Sequence, residues 1–68
     1  MAVIKVIELI GTSPTSFDDA VKVALERASR TVRGISGLDV IGQKAVVKDN
    51  KIVEYRVVIK VAFSLEEK

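Results

Sequence analysis

The chain has 68 residues, no cysteine, no histidine and a formal net charge of +2. Disulfides, thiolate metal sites and histidine-based catalysis are therefore excluded, and the charge is too small and mixed to indicate a nucleic-acid partner. One small domain, residues 1–68, is expected. It buries so small a share of its surface that a domain of this size needs a staple, and oligomerisation is the one left to it.

Val3-Ile4-Lys5-Val6-Ile7-Glu8-Leu9-Ile10 is rich in β-branched residues and predicts the first strand. Val3, Ile7 and Leu9 alternate with Ile4, Val6 and Ile10, so both faces are apolar and both need cover. The turn cluster Gly11-Thr12-Ser13-Pro14-Thr15-Ser16 follows. It lacks the Gly-Lys-Ser/Thr of a P-loop and reads as a capped turn. A helix is predicted from Phe17 to Val32, with Ser16 as N-cap and Gly34 as the stop. Asp18 and Asp19 at its start, and Arg30 and Arg33 at its end, complement the dipole. Phe17, Ala20, Val21, Ala24, Leu25, Ala28, Thr31 and Val32 share one side.

The remainder predicts a hairpin. Its first arm, Ile35 to Lys48, alternates imperfectly, and Gly42 marks a bulge there. Asp49-Asn50-Lys51 is the predicted turn. In Ile52 to Leu65, Val53, Tyr55, Val57, Ile59, Val61, Phe63 and Leu65 alternate with polar residues. Glu66-Glu67-Lys68 reads as a solvated tail. The topology is β-α-β-β. The last strand is ~45 Å long at ~3.3 Å per residue. The helix reaches only ~24 Å at ~1.5 Å per residue. Apolar strand surface is left over, and surface of this kind marks an interface.

The polar residues are less informative. Gly34-Ile35-Ser36-Gly37 has the G-x-x-G spacing of KH domains, but joins a helix to a strand rather than two helices. Glu54 and Arg56 are expected in inter-subunit ion pairs, while Glu8 and Asp39 read as solvated or inter-subunit pairs. Asp18, Asp19 and Asp49 offer carboxylates for Ca²⁺ or Mg²⁺ without EF-hand spacing. Phe17, Tyr55 and Phe63 read as core rather than as a base-stacking platform. No segment approaches a membrane span. Met1 to Lys5 does not read as the start of a signal peptide. A soluble cytoplasmic protein, with no nucleic-acid or membrane partner, is expected.

Over most of its length the sequence resembles the dodecins. The resemblance is carried by Lys5-Val6-Ile7-Glu8-Leu9-Ile10-Gly11-Thr12-Ser13-Pro14-Thr15-Ser16-Phe17 and by Glu26-Arg27-Ala28-Ser29-Arg30-Thr31-Val32. Val40-Ile41-Gly42-Gln43 and the run from Tyr55-Arg56-Val57 to Phe63 extend it. It implies an α+β fold: a three-stranded antiparallel sheet curled around one helix, assembling into a hollow homododecamer of cubic symmetry. It also implies a non-catalytic protein that stores or buffers a small ligand, riboflavin or FMN by family default. Flavin-binding dodecins stack the ring on a tryptophan early in the second strand. Here that position is Gly37, and the chain has no tryptophan. Arg56 occupies a position that contacts the ring edge in some members, and Lys44 one near the flavin phosphate. Gly37, Lys44 and Arg56 are thus the implied cofactor-binding residues. Dodecin-like proteins lacking the tryptophan have been associated with calcium, which supplies the alternative: a flavin-free, calcium-binding or structural protein. Enzymatic use of interface carboxylates has no support, since nothing pairs a nucleophile with a base.

Overall fold

A computed structural model describes residues 2–65. The order is β1 (Val3–Ser13), α1 (Phe17–Ser29), β2 (Ile35–Lys48) and β3 (Lys51–Leu65). The strands form one antiparallel sheet in the order β1-β3-β2, with β3 in the centre. The strand with the cleanest alternation therefore takes both sets of ladder hydrogen bonds. Val57, Ile59 and Val61 of β3 are fully buried. They pack with Ala20 and Ala24 of α1, flanked by Ile7, Leu9, Phe17, Val21, Ile35 and Leu38. The predicted tail, Glu66 to Lys68, lies outside the described residues.

Three boundaries differ from the sequence-based expectation. β1 continues through Gly11 and Thr12 to Ser13, because Gly11, Thr12 and Ser13 pair with Val57, Arg56 and Tyr55 of β3. The helix ends at Ser29 rather than Val32, with Arg30 as its C-cap, so Arg27 is the basic residue in its last turn. Gly34 has φ of +77°, but it turns the chain into β2 several residues beyond that end. The hairpin loop has two residues: Asp49 and Asn50 have φ of 53° and 64°, and Lys51 already pairs with Lys48. Positive φ at both central positions is the I′ turn, whose twist matches that of the strands it joins.

The predicted bulge is present, with the register shifting between Val40 and Gly42 and leaving Ile41 as the extra residue. A second shift leaves Ser36 extra, and a third, at the hairpin tip, leaves Val53 extra. Each extra residue exchanges the two faces of its strand. Leu38 and Val40 therefore share a face with Ile35, Gln43 and Ala45, although their parity differs. This is why β2 alternates poorly in sequence.

The loop before α1 is held by Ser13, which is 2% exposed. Its Oγ donates to Asp19 Oδ2 at 2.6 Å and accepts from the backbone N–H of Thr15 at 2.9 Å and of Ser16 at 3.4 Å. Ser16 Oγ accepts from Asp19 N–H at 3.0 Å, the expected N-cap. Ser13→Ala leaves two part-buried amides and a carboxylate without this partner, so a loss of about 1–3 kcal/mol is expected. Thermal melting of Ser13→Ala against the parent checks it. A melting point within one degree of the parent counts against the role assigned to the hydroxyl.

The protomer is elongated. Its radius of gyration is 14.2 Å and it measures 54 × 20 × 13 Å. A globular chain of this length has a radius of about 11 Å. Its accessible surface is 5263 Å², where a monomer of this mass exposes about 4200 Å². Large apolar side chains contribute to it. On β1 and β3, Ile4, Val6, Ile10, Ile52 and Val53 are exposed, as is Val47 on β2. The helix covers one face of β1 and β3, and β1 stops opposite Tyr55. Beyond that pair, β2 and β3 run on as a two-stranded ribbon.

Candidate functional site

The face of the sheet away from α1 carries the polar chemistry. Alternation places Glu54, Arg56, Val58, Lys60 and Ala62 there, because Val57, Ile59 and Val61 point at the helix. Directly paired residues share a face. Read across β1, β3 and β2, the rows are Val6–Ala62–Gly37, Glu8–Lys60–Asp39, Ile10–Val58–Gly42 and Thr12–Arg56–Lys44. Charged and apolar rows thus alternate along the strands. Lys60 stands between two carboxylates, and Arg56 between a hydroxyl and a second cation.

Two of the three residues implied as ligand contacts come together. Lys44 and Arg56 are direct cross-strand partners. Both are exposed, and Thr12 extends their row. A pair of cations beside a hydroxyl suits a phosphate group. Arg56 is partly committed, because its Nε donates to Glu54 Oε2 of the same chain. The side chains are 49% and 35% exposed, so the pair adds at most about 1 kcal/mol to stability. The ion pair that Arg56 and Glu54 form is thus within one protomer.

Gly37 is not with them. It pairs with Ala62, six residues along β3 from Arg56, which is ~20 Å at ~3.3 Å per residue. No single protomer can present Gly37 and the two cations to one flavin-sized ligand as neighbouring contacts. A shared site needs more than one copy. Around Gly37 the surface is open: a Cβ built there meets nothing within 4 Å, and its φ is not positive. Close by, a cleft of about 430 Å³ is lined by Arg33, Gly34, Phe63, Ser64 and Leu65. Lys44 and Arg56 thus offer positive charge of the kind a phosphate needs, while Gly37 itself presents no ring for stacking.

The carboxylates raised as metal ligands are dispersed. Asp18 and Asp19 begin α1, and Asp19 is engaged by Ser13. Asp49 is at the apex of the hairpin. Among the described residues no group of three carboxylates is placed to hold a metal ion, and no helix is long and apolar enough to cross a membrane. Phe17 and Tyr55 meet edge to face at 5.0 Å and pack at the start of the helix, as the core reading of the aromatics expects.

The dodecin family profile matches residues 3–66. The chain belongs to the dodecin family. It is 37% identical to a dodecin from Thermus thermophilus over 65 residues, covering 96% of this chain and 94% of that one. It is 40% identical to the calcium dodecin of Mycobacterium tuberculosis over 65 residues, covering 96% and 92%. The crystal structure of that calcium dodecin has a TM-score of 0.83, at 38% identity and covering 97% and 94%. Dodecin from Streptomyces coelicolor has a TM-score of 0.94 at 34% identity, covering 98% and 96%. Dodecins assemble as dodecamers, which agrees with the exposed apolar surface of this one. The sequence of this dodecin contains no tryptophan.

Proposed function

We propose that this dodecin is a non-catalytic cytoplasmic homododecamer that sequesters a small ligand at sites shared between subunits, with riboflavin or FMN as that ligand. The observation that carries the reading is the exposed cross-strand pair of Lys44 and Arg56 beside Thr12, with Gly37 of another copy completing the site. Lys44 and Arg56 supply charge for a phosphate, and the open ground at Gly37 accepts a planar ring without stacking on it. FMN should therefore bind more tightly than riboflavin, and the preference should weaken as salt screens the two cations. Flavin fluorescence titration at low and high ionic strength tests this. Equal affinities for the two flavins at low salt would remove Lys44 and Arg56 from the site.

A calcium-binding or purely structural role is the second reading, supported by the 40% identity to calcium dodecin and by the missing tryptophan. Calorimetric titration with calcium and with magnesium separates it from flavin storage. Both readings require assembly. Sedimentation velocity at micromolar protein should show a particle of twelve subunits that unfolds as it dissociates, because so little of the protomer is buried alone. A folded monomer at that concentration would overturn the assembly and the shared site together.

A further inference from the structure

We infer that Glu54 limits how tightly the Lys44–Arg56 pair holds a phosphate dianion, acting as a built-in competitor for Arg56. This rests on the phosphate reading of the pair given above and adds the residue that sets its preference for ligand charge.

Charges are sparse on this part of the sheet face. Thr12, Arg56 and Lys44 form one row, and all three are exposed. The next row inward, Ile10–Val58–Gly42, is uncharged. Glu8 and Asp39 lie a row beyond it, on either side of Lys60, which is four residues or ~13 Å along β3 from Arg56. Glu54 is much closer. It is two residues from Arg56 on the same strand and face, ~7 Å along β3, and it pairs with Val46. Its Oε2 accepts from Arg56 Nε, and among the described residues no other side chain bonds to that guanidinium.

Two effects of Glu54 oppose each other. By taking one edge of the guanidinium fork it orients Arg56, yet it withdraws that edge from a bidentate phosphate. It also sets a negative charge beside the ligand, which cancels one of the two cations in the row. A phosphate monoester carries about −1.5 to −2 near neutral pH. Repulsion decides the sign. An exposed ion pair orients its partners only weakly, and these side chains are 49% and 35% exposed. Like-charge repulsion needs no particular side-chain geometry and grows with the charge of the ligand. Glu54 therefore weakens binding of a dianion more than it helps by holding Arg56. A flavin without a phosphate is indifferent to it.

Three variants test this. Glu54→Gln removes the charge and keeps the size, Glu54→Ala is a second neutral variant, and Glu54→Asp keeps the charge. Each is titrated with FMN and with riboflavin by flavin fluorescence, at low and high ionic strength, after sedimentation has shown the parent's assembly. Both neutral variants should bind FMN about three- to tenfold more tightly than the parent at low salt, with most of the gain lost at high salt. Glu54→Asp should bind FMN like the parent, and riboflavin affinity should be the same for all four proteins. Neutral variants that bind FMN no more tightly than a parent that still prefers FMN to riboflavin would overturn the competitor role and leave the phosphate reading standing. An equal gain for riboflavin and FMN would also overturn it, because the effect would not depend on the phosphate. No preference for FMN in any of the four proteins would remove the phosphate reading, and the inference with it.

Discussion

Gly11→Ala is expected to destabilise the protein strongly, the largest effect of a methyl group added at any of its glycines. A Cβ at Gly11 would lie 2.4 Å from the carbonyl oxygen of Ala20 and 2.8 Å from Cβ of Ala24. The first neighbour is helix backbone and the second is the stub of a buried alanine, so neither can swing aside. The helix must lift from β1. That opens the layer in which Ala20 and Ala24 meet Val57, Ile59 and Val61. Overpacking of this kind costs about 1–3 kcal/mol or more, and a domain's whole stability is about 5–15 kcal/mol. Gly37→Ala is the control: the same methyl meets nothing within 4 Å and should leave melting unchanged. Thermal melting and sedimentation of the two variants give the comparison. A Gly11→Ala protein that melts with the parent would show that the strand and helix are not held this closely.

The second large effect is expected from Gly37→Trp on flavin affinity. In the protomer the position is exposed, its backbone does not have a positive φ, and nothing stands where the indole would go. The substitution should therefore fold and assemble. An aromatic ring stacked on a planar heterocycle contributes about 1–3 kcal/mol. Two tryptophans, one from each copy at a shared site, should tighten flavin binding by at least roughly tenfold and quench flavin fluorescence on binding. Fluorescence titration of parent and variant measures both. If the parent already binds as tightly as the variant, another residue supplies the platform. If neither binds while both remain dodecameric, flavin is not the ligand, and the calcium or structural reading takes its place.

The element order and most of the core were legible in the sequence because they follow from local rules. Alternation along β3 named Val57, Ile59 and Val61 as inward, and they are the three large apolar side chains that are fully buried. Helical spacing named Ala20, Ala24 and Ala28, and Ser16 as the cap. Gly42 marked a bulge. The segments that resemble dodecins carried the family. The boundaries that shifted were those set by partners distant in sequence. β1 runs past Gly11 to Ser13 because β3 offers it a ladder as far as Tyr55. The helix stops at Ser29, three residues before its apolar spacing runs out at Val32.

The candidate site divides the same way. Residue type and the family pattern singled out Gly37, Lys44 and Arg56, together with the missing tryptophan. Only the folded sheet shows that Lys44 faces Arg56 across a strand pair while Gly37 lies a ribbon's length away. The buried hydroxyl of Ser13 escaped notice, because in sequence it is one polar residue in a turn cluster. Its three hydrogen bonds arise only when strand, loop and helix meet. The sequence by itself determined which residues are apolar, how they repeat, and hence which elements form and which face of each turns inward. Pairing register, the extra residues that exchange faces, and the approach of Gly11 to α1 were decided by tertiary structure, because each depends on contacts between residues far apart in the chain.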